Sequence, residues 1–128
     1  MKKRILLLLA VMLLTACGQD KENGKETVYM NITAEEAKII MDSEEGCIIL
    51  DVRTQEEYDQ GHIPGAVCFP LDDIECKAKV FIPDKNTMYL IYCRSGRRSK
   101  EAAEILVDQG YTNIMEFGGI IDWPYEVE

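Results

Sequence analysis

The segment YLIYCRSGRRSKEAAEIL, residues 89–106, joins a strand-like run, a cysteine, a basic turn and a helix-like run. The apolar residues before Cys93 predict a buried β-strand, and the alanine-rich periodic residues after Gly96 predict a helix. A strand that leads through a short turn into a helix is typical of α/β folds. In such folds the carboxyl ends of parallel strands and the amino ends of helices face the ligand site, so Cys93 is placed where ligands bind.

The rest of the chain continues this alternation of strand-like and helix-like segments. Two predicted helices show capping-box spacing at their start, Thr33 with Glu36 and Thr54 with Glu57. The predicted strands are residues 28–32, 47–52, 66–71, 88–93 and 113–118, and the predicted helices are residues 33–42, 54–61, 71–80 and 97–110. We therefore predict one α/β domain with five strands over residues 28–128.

The N-terminus carries three basic residues, a ten-residue apolar run and then a cysteine. This pattern predicts a secretory signal peptide over residues 1–16, because the apolar run is far shorter than the ~20 residues of a membrane-spanning helix. The sequence LTAC resembles the bacterial lipobox, which implies that Cys17 is lipidated and begins the mature chain. Residues 18–27 lack apolar side chains, so we predict a lipidated cysteine and flexible tether over residues 17–27.

These N-terminal features predict a location in the cell envelope. The lipid would anchor the protein on the outer side of the cytoplasmic membrane, or on an outer membrane where the envelope has one. The chain has 14 Lys and Arg against 23 Asp and Glu, a formal net charge of −9. Loss of residues 1–16, which hold three basic and no acidic residues, leaves 112 residues with a charge of −12. Nucleic acid is therefore excluded as a partner, and membrane contact is expected through the lipid on Cys17.

Cys93 and the residues after it have the features of a reactive thiolate. Arg94, Arg97 and Arg98 supply positive charge, and the amides that open the helix gather partial positive charge. Both favour the thiolate and can lower a cysteine pKa from ~8.5 into the range of ~3.5 to 7.5. Gly96 permits dihedral angles closed to other residues, so successive N–H groups can converge on one anion. Two other interpretations are a buried strand-end thiol beside a solvated turn and one half of a structural disulfide.

Two motifs resemble those of the rhodaneses, sulfurtransferases that carry a persulfide on an active-site cysteine. CRSGRRS at residues 93–99 is similar to their active-site loop, and YDQGHIPGAVCF at residues 58–69 is similar to their N-terminal signature. DVRTQEEY at residues 51–58 and GGIIDW at residues 118–123 also match in family order and spacing. The resemblance implies an α/β, rhodanese-like three-layer fold with a five-stranded parallel central sheet flanked by helices.

The resemblance also implies a ping-pong reaction without a cofactor. Cys93 would take a sulfane sulfur from thiosulfate or a similar small anionic donor and pass it to a thiol or to cyanide. The arginines would orient the anionic donor, and the loop amides would hold the persulfide. The substrate-binding residues are then the six that follow the cysteine, Arg94, Ser95, Gly96, Arg97, Arg98 and Ser99.

Four further side chains are candidates for supporting roles. Asp51 ends a predicted strand at the catalytic edge and Arg53 follows it, so the pair is expected either to brace a loop or to add charge to the pocket. His62 is the sole histidine of the sequence, and its context favours ordering of a loop over general-base catalysis. Trp123 is expected to pack rather than to bind a ligand.

Three more cysteines accompany Cys93 in the predicted domain, and an even number of thiols outside the cytoplasm permits disulfides. Cys47 and Cys68 lie in apolar strands and are expected to behave as small buried hydrophobic residues. Cys76 lies in a mixed helix that could expose it, and a resolving role toward oxidised Cys93 is a less favoured alternative. No cysteine or histidine has the spacing of metal ligands, so we expect no metal.

Two other functions fit a thiolate beneath an anion-binding loop. Cysteine phosphatases and arsenate reductases of the related fold place five residues between the cysteine and an essential arginine, whereas four separate Cys93 from Arg98. A module that senses persulfide or oxidant without turnover is the second alternative, and the retained cysteine favours an enzyme over it. We therefore predict a sulfurtransferase that acts through Cys93.

Overall fold

The structure, a computed structural model, describes residues 28–43 and 45–128. The predicted signal peptide, Cys17 and the predicted tether lie outside the described residues. The described residues form three layers, a parallel sheet with helices on both of its faces. No helix in this part of the chain is long and apolar enough to cross a membrane.

Five parallel strands form the sheet, in the order β1-β5-β4-β2-β3. The strands are β1 Met30–Asn31, β2 Ile48–Asp51, β3 Val67–Cys68, β4 Tyr89–Cys93 and β5 Ile114–Gly119. β4 lies at the centre, between β5 and β2, and all five of its residues are buried. The prediction of a five-stranded parallel sheet is confirmed, and its central strand is the one that ends at the cysteine.

The two edge strands are shorter than their apolar patterns predict. β1 pairs with β5 through Met30 and Asn31, and both residues are exposed. β3 pairs with β2 through Val67 and Cys68. An edge strand has a hydrogen-bonding neighbour on one side only, so its apolar residues continue into irregular backbone instead of a longer ladder.

The helices divide between the two faces of the sheet. The helices are α1 Ala34–Ser43, α2 Gln55–Gln60, α3 Leu71–Phe81 and α4 Arg97–Asp108, followed by a short 3₁₀ turn, Ile120–Asp122. α3 and α4 cover one face, where Ile74 and Leu106 join Ile91 of β4 in one core cluster. α1, α2 and the C-terminal segment cover the other face, where Ala37 joins Leu90 in a second cluster. Successive side chains of β4 therefore serve opposite cores, as strand geometry requires.

Both predicted capping boxes are present. The Glu36 amide donates to Thr33 Oγ1 at 3.0 Å, and the Thr33 amide donates to the Glu36 carboxylate at 2.9 Å. Thr54 and Glu57 make the same two bonds at 3.2 and 3.1 Å. The second box fixes the start of α2 immediately after β2, and this places the first turn of α2 beside the carboxyl edge of the sheet.

Candidate active site

Cys93 is the last residue of β4, at the carboxyl edge of the sheet. Its neighbour in β5 is Gly119, beyond an irregularity in the register of the two strands. A Cβ atom at Gly119 would overlap the carbonyl oxygen of Arg94, so only glycine lets the end of β5 approach this turn. The Ile121 amide donates to the same oxygen at 3.2 Å. The end of β5 therefore supports the turn that follows the cysteine.

The residues after Cys93 turn back over the sulfur and form the cysteine loop, residues 93–99. Gly96 has a φ of 110°, in the left-handed region, and is the N-cap of α4. Its N–H donates to Cys93 Sγ at 3.0 Å. Ser99 Oγ lies 3.5 Å from the sulfur, and the Ser99 and Cys93 side chains are both buried. The loop amides and the amino end of α4 thus converge on one buried sulfur atom.

The environment of Cys93 lowers the pKa of its thiol. Burial raises this pKa, but hydrogen bonds from the Ser99 side chain and from the amides of Ser99, Gly96 and Ser95 outweigh the burial. Donors that point at a sulfur stabilise its thiolate more than its thiol. The fold therefore presents a thiol that ionises more readily than an ordinary cysteine, because several hydrogen bonds together outweigh the effect of burial.

The three arginines of the cysteine loop lie in different environments. Arg98 donates two hydrogen bonds to the Glu57 carboxylate, at 2.8 and 3.0 Å. Arg97 is 77% exposed and lies 3.7 Å from Glu101 in the next turn of α4. Arg94 is exposed. The predicted donor-binding role therefore falls to one paired guanidinium and two that reach into solvent.

Glu57 joins α2 to the cysteine loop. The hydrogen bonds from Arg98 outweigh burial and, together with bonds from Thr54, lower the pKa of Glu57 to about 2. The same pairing raises the pKa of Arg98. Both groups are therefore charged across the neutral pH range. The sequence predicts Glu57 as a capping residue, and its contact with the loop, 41 positions away, becomes visible only in the folded chain.

Asp51 and Arg53 form a buried ion pair at the end of β2. Arg53 donates to Asp51 from Nε at 2.9 Å and from a terminal nitrogen at 2.7 Å, and the same terminal nitrogen donates to the Gly61 carbonyl at 2.7 Å. The Tyr92 hydroxyl donates to Asp51 at 2.6 Å, and burial followed by this bond raises the pKa of Tyr92. These contacts tie β2, β4 and the segment after α2 together, which favours the bracing role over a free charge in the pocket.

A cleft of about 320 Å³ opens beside the cysteine loop. Three guanidinium groups line it, from Arg53, Arg97 and Arg98, and so do the carboxylates of Asp72 and Glu101. A larger cavity of about 450 Å³ lies on the other face, between α1 and the C-terminal segment, and has no residue of the cysteine loop in its lining. The smaller cleft therefore adjoins the cysteine loop through Arg97 and Arg98, and Cys93 itself is buried and not part of the lining.

His62 and Trp123 have the structural surroundings that their sequence contexts favour. The His62 ring stacks on Tyr58 at 3.8 Å between ring centres, and its Nδ1 lies 3.0 Å from the Tyr58 carbonyl oxygen. Its backbone also exchanges two hydrogen bonds with Glu128. Trp123 packs against Phe117, with 5.7 Å between ring centres, in the second core cluster. Neither side chain lines the cleft beside the cysteine loop.

Glu116 belongs to the site and has no counterpart among the sequence predictions. It lies in the middle of β5, is 1% exposed, and accepts the hydroxyl of Ser99 on one carboxylate oxygen. The Gly118 amide donates to the same oxygen at 3.0 Å, and Asn31 of β1 donates to the other. Lys100 Nζ lies 3.7 Å away. In the sequence, the only indication of this role is that Glu116 is a charged residue within the apolar run of β5.

The remaining cysteines do not join the site. Cys68, Cys76 and Cys93 are free thiols in the described part of the chain, which removes the disulfide interpretation of Cys93. Cys76 is exposed, whereas Cys47 and Cys68 are half-buried and not fully buried as predicted, because Cys47 precedes β2 and Cys68 ends the short edge strand β3. Burial raises the pKa of Cys68, so this thiol is less easily ionised than that of Cys93. Among the described residues no group of His, Cys, Asp and Glu side chains is arranged to hold a metal.

In this protein a parallel sheet ends at a buried thiol with a lowered pKa, and backbone amides converge on the sulfur. This arrangement is typical of enzymes and sensors that use a cysteine thiolate beneath an anion-binding loop. Residues 33–124 match the Rhodanese-like domain family, and the chain belongs to that family. The structural neighbours have the same fold.

Relatives of known name share this domain. Thiosulfate sulfurtransferase PspE of Escherichia coli is 41% identical over 73 residues, which cover 57% of this chain and 70% of that protein. Putative sulfur carrier protein YrkF of Bacillus subtilis is 40% identical over 112 residues, which cover 87% of this chain and 60% of that protein. A solved structure described as a rhodanese with anions, from E. coli, superposes with a TM-score of 0.59 at 36% identity and covers 64% of this chain and 96% of that one.

Proposed function

We propose that this protein is a sulfurtransferase that moves a sulfane sulfur from thiosulfate, or a similar donor, to cyanide or a thiol through a persulfide on Cys93. The observation that carries the proposal is the buried Cys93 sulfur, 3.0 Å from the Gly96 amide, with a lowered pKa. Family membership and the thiosulfate sulfurtransferase among the relatives support the same activity.

The first half-reaction forms the persulfide. The Cys93 thiolate attacks the outer sulfur of thiosulfate, a sulfur–sulfur bond forms to Cys93, and the bond to the sulfite group breaks with its electron pair on sulfite. Arg97 and Arg98 line the cleft through which the anionic donor arrives. Their charge stabilises the donor and the departing sulfite.

The second half-reaction releases the sulfur. Cyanide or a thiolate attacks the terminal sulfur of the persulfide, and Cys93 leaves as a thiolate. The N–H groups of Ser95 and Gly96, which stabilise the resting thiolate, also stabilise it as a leaving group. One set of amides therefore serves both halves of the ping-pong cycle.

Intact mass spectrometry of the purified protein tests the proposal. After exposure to thiosulfate we expect an adduct with the mass of one sulfur atom on Cys93, which cyanide or a thiol then removes. The Cys93→Ser variant is the matched control and should stay unmodified. A protein that never gains the sulfur adduct, or gains it equally without Cys93, would refute the proposed reaction.

We further propose that the protein acts in the cell envelope, held by lipid on Cys17. The support is the signal-peptide pattern of residues 1–16 and the lipobox-like LTAC sequence. The acceptor is then a thiol or a small nucleophile available outside the cytoplasm. Fractionation of cells that carry the Cys17→Ala variant tests this location.

A further inference from the structure

Glu116 is a buried carboxylate that the proposed reaction leaves without a role. Its side chain is 1% exposed, in the strand next to that of the nucleophile. It receives hydrogen bonds from Asn31 of β1, from Ser99 of α4 and from the Gly118 amide, and Lys100 of α4 lies 3.7 Å away. Both oxygens of this carboxylate therefore have hydrogen-bond donors, and a cation lies nearby.

Ser99 stands between this carboxylate and the reactive sulfur. Its hydroxyl carries one proton and has several acceptors within reach: Glu116, the Gly96 carbonyl at 3.0 Å, the Gly118 carbonyl at 3.4 Å and Cys93 Sγ at 3.5 Å. The bond to Glu116 is the shortest of the four, and an ionised acceptor makes the strongest bond. The proton therefore lies toward Glu116, which leaves an oxygen lone pair of Ser99 facing the sulfur. In that orientation Ser99 accepts a hydrogen bond from the thiol, and its hydroxyl stabilises the thiolate only after it has turned from Glu116 to the sulfur.

We infer that Glu116 is a positioning residue that holds the Ser99 proton away from Cys93 and thereby opposes ionisation of the thiol. The inference rests on the proposed role of Cys93 as the nucleophile. Two anions separated by one hydroxyl group also disfavour each other, so the charge of Glu116 acts in the same direction. The loop amides favour the thiolate while Glu116, through Ser99, favours the thiol.

Ionisation of Cys93 then requires only a proton transfer and a rotation. The Cys93 proton leaves to solvent, the Ser99 hydroxyl turns from Glu116 to the sulfur, and no other bond changes. Two cations lie near the ends of the contact chain from Glu116 through Ser99 to Cys93. Lys100 lies beside Glu116, and Arg98, which is paired with Glu57, interacts electrostatically with Cys93. The state of Cys93 and the hydrogen bonding of Glu116 are therefore coupled: ionisation of the thiol takes the Ser99 hydroxyl from the carboxylate, and the bond between Ser99 and the carboxylate opposes that ionisation.

The pH profile of Cys93 alkylation tests the inference without any sulfur transfer. The rate of iodoacetamide addition to Cys93, read by peptide mass spectrometry, follows its thiolate fraction. Glu116→Gln removes the charge and should move the midpoint down by about one pH unit, which gives about tenfold faster alkylation at a pH below both midpoints. Glu104→Gln, at an exposed position of the same helix as Ser99, is the matched control and should leave the midpoint unchanged. An unmoved or higher midpoint in Glu116→Gln would overturn the inference.

A second comparison shows whether Glu116 acts through Ser99. The shift caused by Glu116→Gln should fall to less than half when Ser99 is already alanine, because the hydroxyl that transmits the effect is gone. Equal shifts in both backgrounds would mean that the carboxylate acts through charge alone, and the positioning role would be wrong.

A measurement on the unmutated protein covers the case in which Glu116→Gln does not fold. In carbon-13 NMR the Glu116 carboxyl signal should change at the alkylation midpoint of Cys93, because ionisation of the thiol takes the Ser99 hydrogen bond from the carboxylate. Methylthiolation of Cys93 with methyl methanethiosulfonate should abolish this change, and its absence before treatment would contradict the inference. If Cys93 alkylates readily yet takes no sulfur from thiosulfate, the proposed function fails while the coupling of the two groups is still measured.

Discussion

Cys93 is the residue on which the proposed reaction depends, because both half-reactions make or break a bond to its sulfur. Cys93→Ser should fold normally and lose sulfur transfer by a factor of about 10³ or more, since the serine hydroxyl holds its proton too tightly to act as a nucleophile without a dedicated base. A thiosulfate–cyanide assay and circular dichroism measure the two properties. Cys68→Ser, at a half-buried thiol of β3, is the control and should stay active. Activity in the first variant, or its loss in the second, would contradict the assignment.

Arg98 is expected to bind the anionic donor in spite of its pairing with Glu57. Arg98→Ala should raise KM for thiosulfate about tenfold, because it removes a cation and leaves an unpaired carboxylate beside the cleft. The double variant Arg98→Ala/Glu57→Gln removes that carboxylate as well, and its KM should lie between those of Arg98→Ala and the unmodified protein. Steady-state kinetics give both values, and unchanged KM in Arg98→Ala would exclude a donor-binding role.

The residues of the site differ in how far the sequence reveals them. Cys93 and the loop after it are contiguous, so the charge pattern and the glycine indicate a thiolate site directly. Glu57 and Glu116 meet the loop from positions 41 and 17 residues away, which only the tertiary fold brings together. In the sequence, Glu57 has the spacing of a capping residue, and nothing there indicates its second contact, with Arg98. Glu116 is marked only by its charge within an apolar strand.

The cysteine loop sets the distance between the sulfur and the groups that bind an anion. Four residues separate Cys93 from Arg98, one fewer than in cysteine phosphatases of the related fold. Insertion of one residue between Gly96 and Arg98 should lower sulfur transfer, because the donors would no longer meet the reacting sulfur. The unmodified protein should neither hydrolyse p-nitrophenyl phosphate nor reduce arsenate through Cys93. Phosphate or arsenate turnover that is lost in Cys93→Ser would instead establish the phosphatase alternative.

The contact between α2 and the cysteine loop should depend on pH. Pairing with Arg98 lowers the pKa of Glu57 from 4.5 to about 2, so its contribution to stability is present above pH 4.5 and is lost as pH falls toward 2. Glu57→Gln keeps the capping interaction and removes the charge. In urea unfolding the unmodified protein should be the more stable at pH 7, and the difference should shrink as pH falls through this window. A difference that is independent of pH would show that the pair contributes no net charge stabilisation.

Elements at the centre of the sheet are predicted better than those at its edges. β4 and α4 are both buried against other elements, so strong hydrophobic patterns fix their position in the sequence. β1 and β3 have two residues each, although their apolar patterns extend further. An apolar pattern indicates which residues are buried. The length of a strand depends also on pairing with a neighbouring strand, which the sequence of one segment does not reveal.

At the level of the whole molecule, the predicted lipid anchor separates this chain from a freely diffusing sulfurtransferase. Cys17→Ala should move the protein from the membrane fraction to the soluble fraction, because the variant lacks the residue that would carry the proposed lipid. The sulfur-transfer activity of the released protein should be unchanged, since the site lies in residues 28–128. Equal membrane retention of fully processed Cys17→Ala protein would refute lipid anchoring.

The position of β5 in the sheet determines when the surroundings of the thiol are complete during the life of the chain. β5 is the last strand to be synthesised, yet it lies between β4 and β1 and supplies both Gly119 beneath the Arg94 carbonyl and Glu116 behind Ser99. β1, made first, pairs with β5 alone among the strands in residues 28–128 that the structure describes. A nascent or partly exported chain therefore lacks the groups that support the cysteine loop, and the finished environment of the thiol is assembled only after the C-terminal residues arrive. If the signal peptide directs export, the nucleophile matures in the compartment where it is used.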